Sequence, residues 1–171
     1  GATVFVLHGN KGPIQAELYA ERFAMLAELG KTFGVVVAQE NVARCTSRSL
    51  DFLLQMQKLL GNDAKFVLDI KQAVRSNENP MQMLQKLGSH IVHVHLSDHG
   101  EYGDCLPVGK GRFDVRTFLQ TLSTCSPDCS VILELYRSSF NNVQDLVNNY
   151  LVIQHMLAPG SANKTDSIPI R

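Results

Sequence analysis

Five short apolar runs rich in β-branched residues punctuate the chain, at 3–7, 34–38, 65–68, 90–94 and 130–133. They scarcely alternate apolar with polar positions, so each predicts a strand buried on both faces, the habit of a parallel sheet. Between the runs, apolar residues recur at helical spacing. Pro13 precedes a stretch carrying Ile14, Leu18, Met25, Leu26 and Leu29, which Gly30 closes; Leu50, Leu53, Leu54, Met56 and Leu60 end at Gly61. Asn79-Pro80 opens a shorter helix through Leu84 and Leu87 that stops at Gly88. Asp114 caps a helix bearing Val115, Phe118, Leu119 and Leu122, and Asn142 one bearing Val143, Leu146, Val147, Tyr150 and Leu151. Strict βα alternation predicts an α/β fold with a parallel sheet and right-handed crossovers, either an open doubly wound sheet or part of a (β/α) barrel. The domain is expected over 1–157. The Pro-, Gly-, Ser- and Asn-rich stretch 158–171 lacks apolar periodicity and reads as a flexible tail.

The residue following each apolar run carries the candidate chemistry. His8, Asp69, His95 and Glu134 come directly after their runs, and Glu40 comes after the second, one residue beyond Gln39. In any parallel α/β architecture the carboxyl ends of the strands share one edge, so side chains far apart in sequence converge there. Three carboxylates gathered in one place repel one another and lose hydration, a cost of several kcal/mol that a cation offsets. A set of two Glu, one Asp and one His is mostly oxygen and suits Mn²⁺, Mg²⁺ or Co²⁺, and also accepts Zn²⁺. His93 lies on the same strand face as His95 and is read as a supporting or core histidine rather than a ligand.

Composition narrows the classes. The 171 residues carry 16 Lys+Arg against 16 Asp+Glu, a formal net charge of zero, with no basic block. That argues against nucleic acid or a charged membrane surface as the main partner. No apolar run approaches the roughly 18 residues of a spanning helix and no signal peptide is visible, so a cytoplasmic location is expected. Cys45, Cys105, Cys125 and Cys129 are too few and too scattered for a disulfide framework and are expected to be free thiols. The chain opens Gly1-Ala2-Thr3 without Met and enters a strand at once, which suggests a fragment or a processed product. Lys71, Lys110, Arg112 and Arg137 are read as solvated loop cations, although any of them lies where it can meet a phosphate. His99, Glu101 and Asp104 fall in a loop after the fourth strand that can act as a lid.

Several stretches together resemble a known family: Val6-Leu7-His8-Gly9, Gln39-Glu40-Asn41, Val67-Leu68-Asp69, His93-Val94-His95-Leu96-Ser97-Asp98, the run from Leu106 to Asp114, and Ile132-Leu133-Glu134-Leu135. Their order and separation are similar to the xylose-isomerase-like TIM-barrel superfamily, which holds sugar phosphate isomerases/epimerases, ketose 3-epimerases, inosose dehydratases and the endonuclease IV type. The resemblance implies an incomplete TIM barrel, with about five of eight units present as the fourth to eighth. It implies that Glu40, Asp69, His95 and Glu134 bind a divalent metal. It further implies that Glu40 and Glu134 exchange a proton at a sugar carbon through an enediolate, making the chain an isomerase or epimerase of a small sugar or sugar phosphate. His8, Gln72 and Arg137 are the residues expected to meet the substrate.

Two departures from the family pattern matter. Gln72 stands where the family often has His, and Gln does not shuttle protons though it hydrogen-bonds a hydroxyl. Cys105 replaces a histidine that the endonuclease-like members carry, which speaks against a trinuclear zinc nuclease. Two other readings stand beside the leading one: an inosose-type dehydratase on the same metal site, and a non-catalytic fragment or subunit that needs the missing amino-terminal strands. Five parallel strands do not close, so the outer strands at Val4 and Val131 are expected to be covered by a partner chain, by homo-oligomerisation or by the missing amino-terminal segment.

Overall fold

A computed structural model describes residues 1–101 and 103–158. The expected tail, from residue 159 onward, lies outside the described residues. Five strands form one parallel sheet in the order in which they occur along the chain: β1 (Val4–Leu7), β2 (Val36–Glu40), β3 (Phe66–Asp69), β4 (Ile91–Leu96) and β7 (Ser130–Leu133). Helices α1 (Ala16–Thr32), α2 (Leu50–Leu60), α4 (Pro80–Leu87), α5 (Val115–Cys125) and α6 (Val143–Leu157) lie between and after these strands. Sequential parallel strands with intervening helices make an arc of an incomplete (β/α) barrel, as the alternation predicts.

Local chemistry explains the element ends. Ser49 accepts a hydrogen bond from Phe52 N at the start of α2, Asn79 accepts from Met81 N and Gln82 N with Pro80 at the first turn of α4, and Asp114 accepts from Thr117 N. Gly61 and Gly88 end α2 and α4 in the left-handed region, where glycine is favoured. Gly30 does not stop α1, which runs on to Thr32. Its missing side chain has another cause: a Cβ there would meet Val35 O at 2.6 Å, so the glycine lets β2 leave close against the helix.

The core sits between the convex face of the sheet and the helices. Phe66, Leu68, Ile91, Val94 and Leu96 pack there against Leu53, Met56, Met83, Leu84, Phe118 and Leu122. The apolar faces expected of α2, α4 and α5 are the buried ones, except for half-buried Leu54 and Leu60. Those of α1 and α6 are inverted. α1 buries Ala16, Tyr19, Ala20, Phe23 and Ala27 and exposes Leu18, Met25, Leu26 and Leu29; α6 buries Asn149 and Ile153 and exposes Val143, Val147, Tyr150 and Leu151. Both helices flank the outermost strands and are apolar over more than one face, so periodicity alone selects the wrong side.

Two elements were not expected. α3 (Ile70–Arg75) follows β3 without a loop, because the Asp69 side chain caps it by accepting from Gln72 N. A small antiparallel hairpin, β5 (Asp98–Gly100) and β6 (Gly103–Leu106), occupies the stretch read as a lid loop. Among the described residues no helix is long and apolar enough to cross a membrane, and all four cysteines are free.

Candidate active site

Strand register determines which side chains meet. Glu40 pairs with Val67, Asp69 lies two residues further along β3 and pairs with His95, and His95 pairs with Ile132, two residues before Glu134. Successive residues of a strand alternate faces, so these even offsets put all four groups on the same, concave side at the carboxyl edge. One ligand-type atom from each of Glu40, Asp69, His95 and Glu134 lies within 4.8 Å of the others. His95 Nδ1 is 2.7 Å from Glu134 Oε2 and 3.6 Å from both Glu40 Oε1 and Asp69 Oδ2.

The neighbouring backbone fixes these positions. Asn41 donates from Nδ2 to Asp69 O at 3.0 Å and accepts from Asp69 N at 2.7 Å, tying the ends of β2 and β3. Gln39 donates to Leu7 O and Glu40 O and accepts from the Tyr19 hydroxyl. Gly9, at φ 90°, passes over this pair so closely that a Cβ would lie 2.7 Å from the Tyr19 hydroxyl. Glu134 N donates to Leu96 O at 3.0 Å, continuing the β4–β7 ladder by one bond.

The electrostatics are those of a crowded acidic site. Burial alone would lower the His95 pKa; the Asp69, Glu134 and Glu40 carboxylates overcome it and raise it to about 11. The His95 ring holds the Glu134 carboxyl well below the usual carboxylate range, against the opposing effect of burial and with help from Lys71. Burial pushes Asp69 upward despite its contacts with His95 and Gln72 N. His93 is lowered, first by burial and then by the charge of His95; its ring meets that of His95 edge-on at 5.2 Å and its Nδ1 lies 2.6 Å from Ser130 Oγ.

The cluster fits a cation. Glu40 Oε2, Asp69 Oδ2, His95 Nδ1 and Glu134 Oε2 are all buried atoms without a hydrogen-bond partner; the close approach of His95 to Glu134 lacks hydrogen-bond alignment. Buried polar atoms are ordinarily paired, and leaving one unpaired costs about 1–3 kcal/mol. A divalent ion shared by the four would satisfy them together, and the three carboxylates with one imidazole form an oxygen-rich donor set.

The remaining expected site residues are placed differently. His8 is 61% exposed at the rim, with Nε2 3.2 Å from Glu40 Oε2. Gln72 accepts from Ala43 N at 3.0 Å through Oε1, so its carboxamide is partly committed to the backbone. Arg137 lies outside the cluster, donating to Phe140 O and Asn141 O of its own loop. Cys105 is buried beneath the site and donates from Sγ to Glu134 O at 3.3 Å.

Lys71 corrects the sequence reading. It is not a solvated cation: its side chain is 6% exposed, and Nζ lies 2.8 Å from Glu134 Oε1 and 3.4 Å from Asp69 Oδ2. Asp98, also missed, is buried and accepts from the backbone N–H groups of His99, Phe113, Gly109 and Gly111. The signal available in the sequence was position, since both residues follow a buried strand within two residues of a candidate ligand or of a strand's last apolar residue.

Comparison with known proteins agrees with this fold. A protein of Mycobacterium leprae (strain TN), ML2432, is 27% identical over 100 residues, which is 55% of this chain and 34% of that protein. Among solved structures, a D-tagatose 3-epimerase-like protein superposes with a TM-score of 0.70 at 23% identity, covering 91% of this chain and 62% of its own. The probable 3-DHS dehydratase AsbF of Bacillus anthracis gives 0.73 at 17% identity, over 89% and 63%. The IOLI protein with a bound zinc atom gives 0.66 at 18% identity, over 89% and 60%. The chain thus spans about a third of the curated relative and about three fifths of each of these structures. The model of the xylose isomerase-like TIM barrel family matches residues 1–153, nearly the whole βα array, and the chain belongs to that family.

Proposed function

We propose that this chain acts as a divalent-metal-dependent isomerase or epimerase of a small sugar or sugar phosphate, with Glu40, Asp69, His95 and Glu134 holding the metal. The observation that carries the proposal is that one ligand-type atom from each of these four residues lies within 4.8 Å of the others. The Lewis acidity that Mn²⁺, Mg²⁺, Co²⁺ or Zn²⁺ would supply when held by these four residues is the kind that makes a C–H beside a substrate carbonyl acidic. Zinc has a precedent in the IOLI structure.

The chain's own residues supply the proton chemistry. Glu134, kept ionised by the Lys71 ammonium 2.8 Å from its Oε1, accepts the proton from carbon. Glu40, buried and set apart from Glu134 around the same centre, returns a proton to the product. Removal and return on opposite faces of one carbon epimerises it, while return to the adjacent carbon isomerises the sugar. His8, exposed and in contact with Glu40, exchanges that proton with solvent. The amide nitrogen of Gln72 is the group left to bond a substrate hydroxyl, and Arg137 meets a phosphate only by giving up its loop carbonyls.

Deuterium incorporation tests the proposal. In D₂O, the Mn²⁺-loaded chain should place deuterium on the carbon next to the carbonyl of a ketose or its phosphate, read by NMR. Glu40→Gln and Glu134→Gln should each slow the exchange by about a hundredfold or more. Absence of exchange across a panel of ketoses would count against it. Dehydration begins with the same proton removal, and the resemblance to AsbF keeps it in view; release of an unsaturated product in place of an epimer would establish that reading instead.

A further inference from the structure

We infer that Lys71 is the positioning residue that presents Glu134 to the metal, an inference that rests on the proposed metal site. Lysine is among the residues least often fully buried, yet here it is enclosed at the base of the cluster with the Tyr136 ring 5.5 Å from its Nζ. The ammonium sorts the oxygens of Glu134. It donates to Oε1 at 2.8 Å and leaves Oε2 as the atom turned toward His95 without a hydrogen bond. Asp69 is divided in a similar way, with Oδ1 accepting from Gln72 N and Oδ2 making no hydrogen bond, its ion-pair contact with Lys71 Nζ being the longer one at 3.4 Å. In both carboxylates one oxygen is tied down and the other is offered to the common centre.

Glu134 has particular need of such a tether. It follows the outermost strand β7, whose Val131 and Ile132 are exposed, and its side chain is 39% exposed, whereas those of Glu40 and Asp69 are buried at 3% and 1%. A carboxylate in that position has many rotamers to choose from, and fixing one costs entropy when a metal binds. The bond from Lys71 restricts that choice in advance. It also adds one positive charge beside three carboxylates, so that a divalent cation and Lys71 together balance them. Groups that orient a metal ligand from behind commonly contribute 10–100-fold to metal affinity.

Charge repulsion and positioning make opposite predictions, and Mn²⁺ titration calorimetry on the full chain separates them. If Lys71 were only a neighbouring cation, Lys71→Met would remove a repulsion and tighten Mn²⁺ binding. If Lys71 positions Glu134, Lys71→Met weakens binding by about tenfold. In a Glu134→Ala background, the same substitution then adds little further loss. Unchanged or tighter binding in Lys71→Met overturns the inference. So does a full, additional loss in the Glu134→Ala background. Should Lys71→Met fail to fold by circular dichroism, Lys71→Gln is judged by the same criterion. A parent chain that binds no Mn²⁺ removes the metal site itself, an outcome distinct from a parent that binds and a Lys71 variant that binds equally well.

Discussion

His95 carries the clearest pH signature among the site residues. Its folded pKa, raised to about 11, lies above the ordinary 6.5. The imidazolium therefore contributes stability to the metal-free fold that is fully present below the ordinary value and is lost as pH rises through about 11. A metal ion requires the neutral ring, so binding must expel that proton. Mn²⁺ binding at neutral pH should release about one proton, and the affinity should rise by about tenfold per pH unit. Calorimetry in two buffers of different ionisation enthalpy measures both; binding without proton release would show that His95 is not a ligand. At this scale the sequence was informative where topology forces convergence. Glu40, Asp69, His95 and Glu134 each lie at the carboxyl end of an apolar strand, and a parallel sheet has one carboxyl edge. For Lys71 the sequence offered position alone, two residues after Asp69. Its burial depends on carboxylates contributed by β3 and by the end of β7, and no local pattern encodes that arrangement.

Elements with a single apolar stripe and a capping residue, such as α2, α4 and α5, could be read directly. α1 and α6 could not, because each carries apolar residues on the exposed side as well. The hairpin β5–β6 was missed because its order comes from a side chain rather than from apolar alternation. Asp98 uses both carboxylate oxygens to hold four backbone N–H groups, and it anchors the loop 109–113 beside the hairpin. Gly111 must be glycine in this arrangement, since a Cβ would fall 2.3 Å from Asp98 Oδ1 and 2.4 Å from His99 O. Asp98→Ala leaves these partly buried donors without their acceptor and should lower stability by about 2 kcal/mol. Urea denaturation checks the size of the loss. Hydrogen exchange should show faster exchange at Gly109, Gly111 and Phe113, and an unchanged midpoint with unchanged protection would refute the anchoring role.

The described residues form an open arc. β1 and β7 are the outer strands of the sheet, and apolar side chains gather beside each: Phe5, Met25, Leu29, Phe33 and Val36 at one end, Val131, Ile132, Val147, Tyr150 and Leu151 at the other. Soluble proteins ordinarily pair or cover such edges. The βα alternation was legible along the chain because each unit is local, and the arc follows from stacking those units in order. The proposed function requires this arc to hold four distant residues around one cation. Anomalous diffraction from crystals of the chain grown with Mn²⁺ tests it most directly. The account predicts one manganese peak per chain, within bonding distance of Glu40, Asp69, His95 and Glu134. A peak elsewhere, or any two of these side chains turned away from it, would contradict the account.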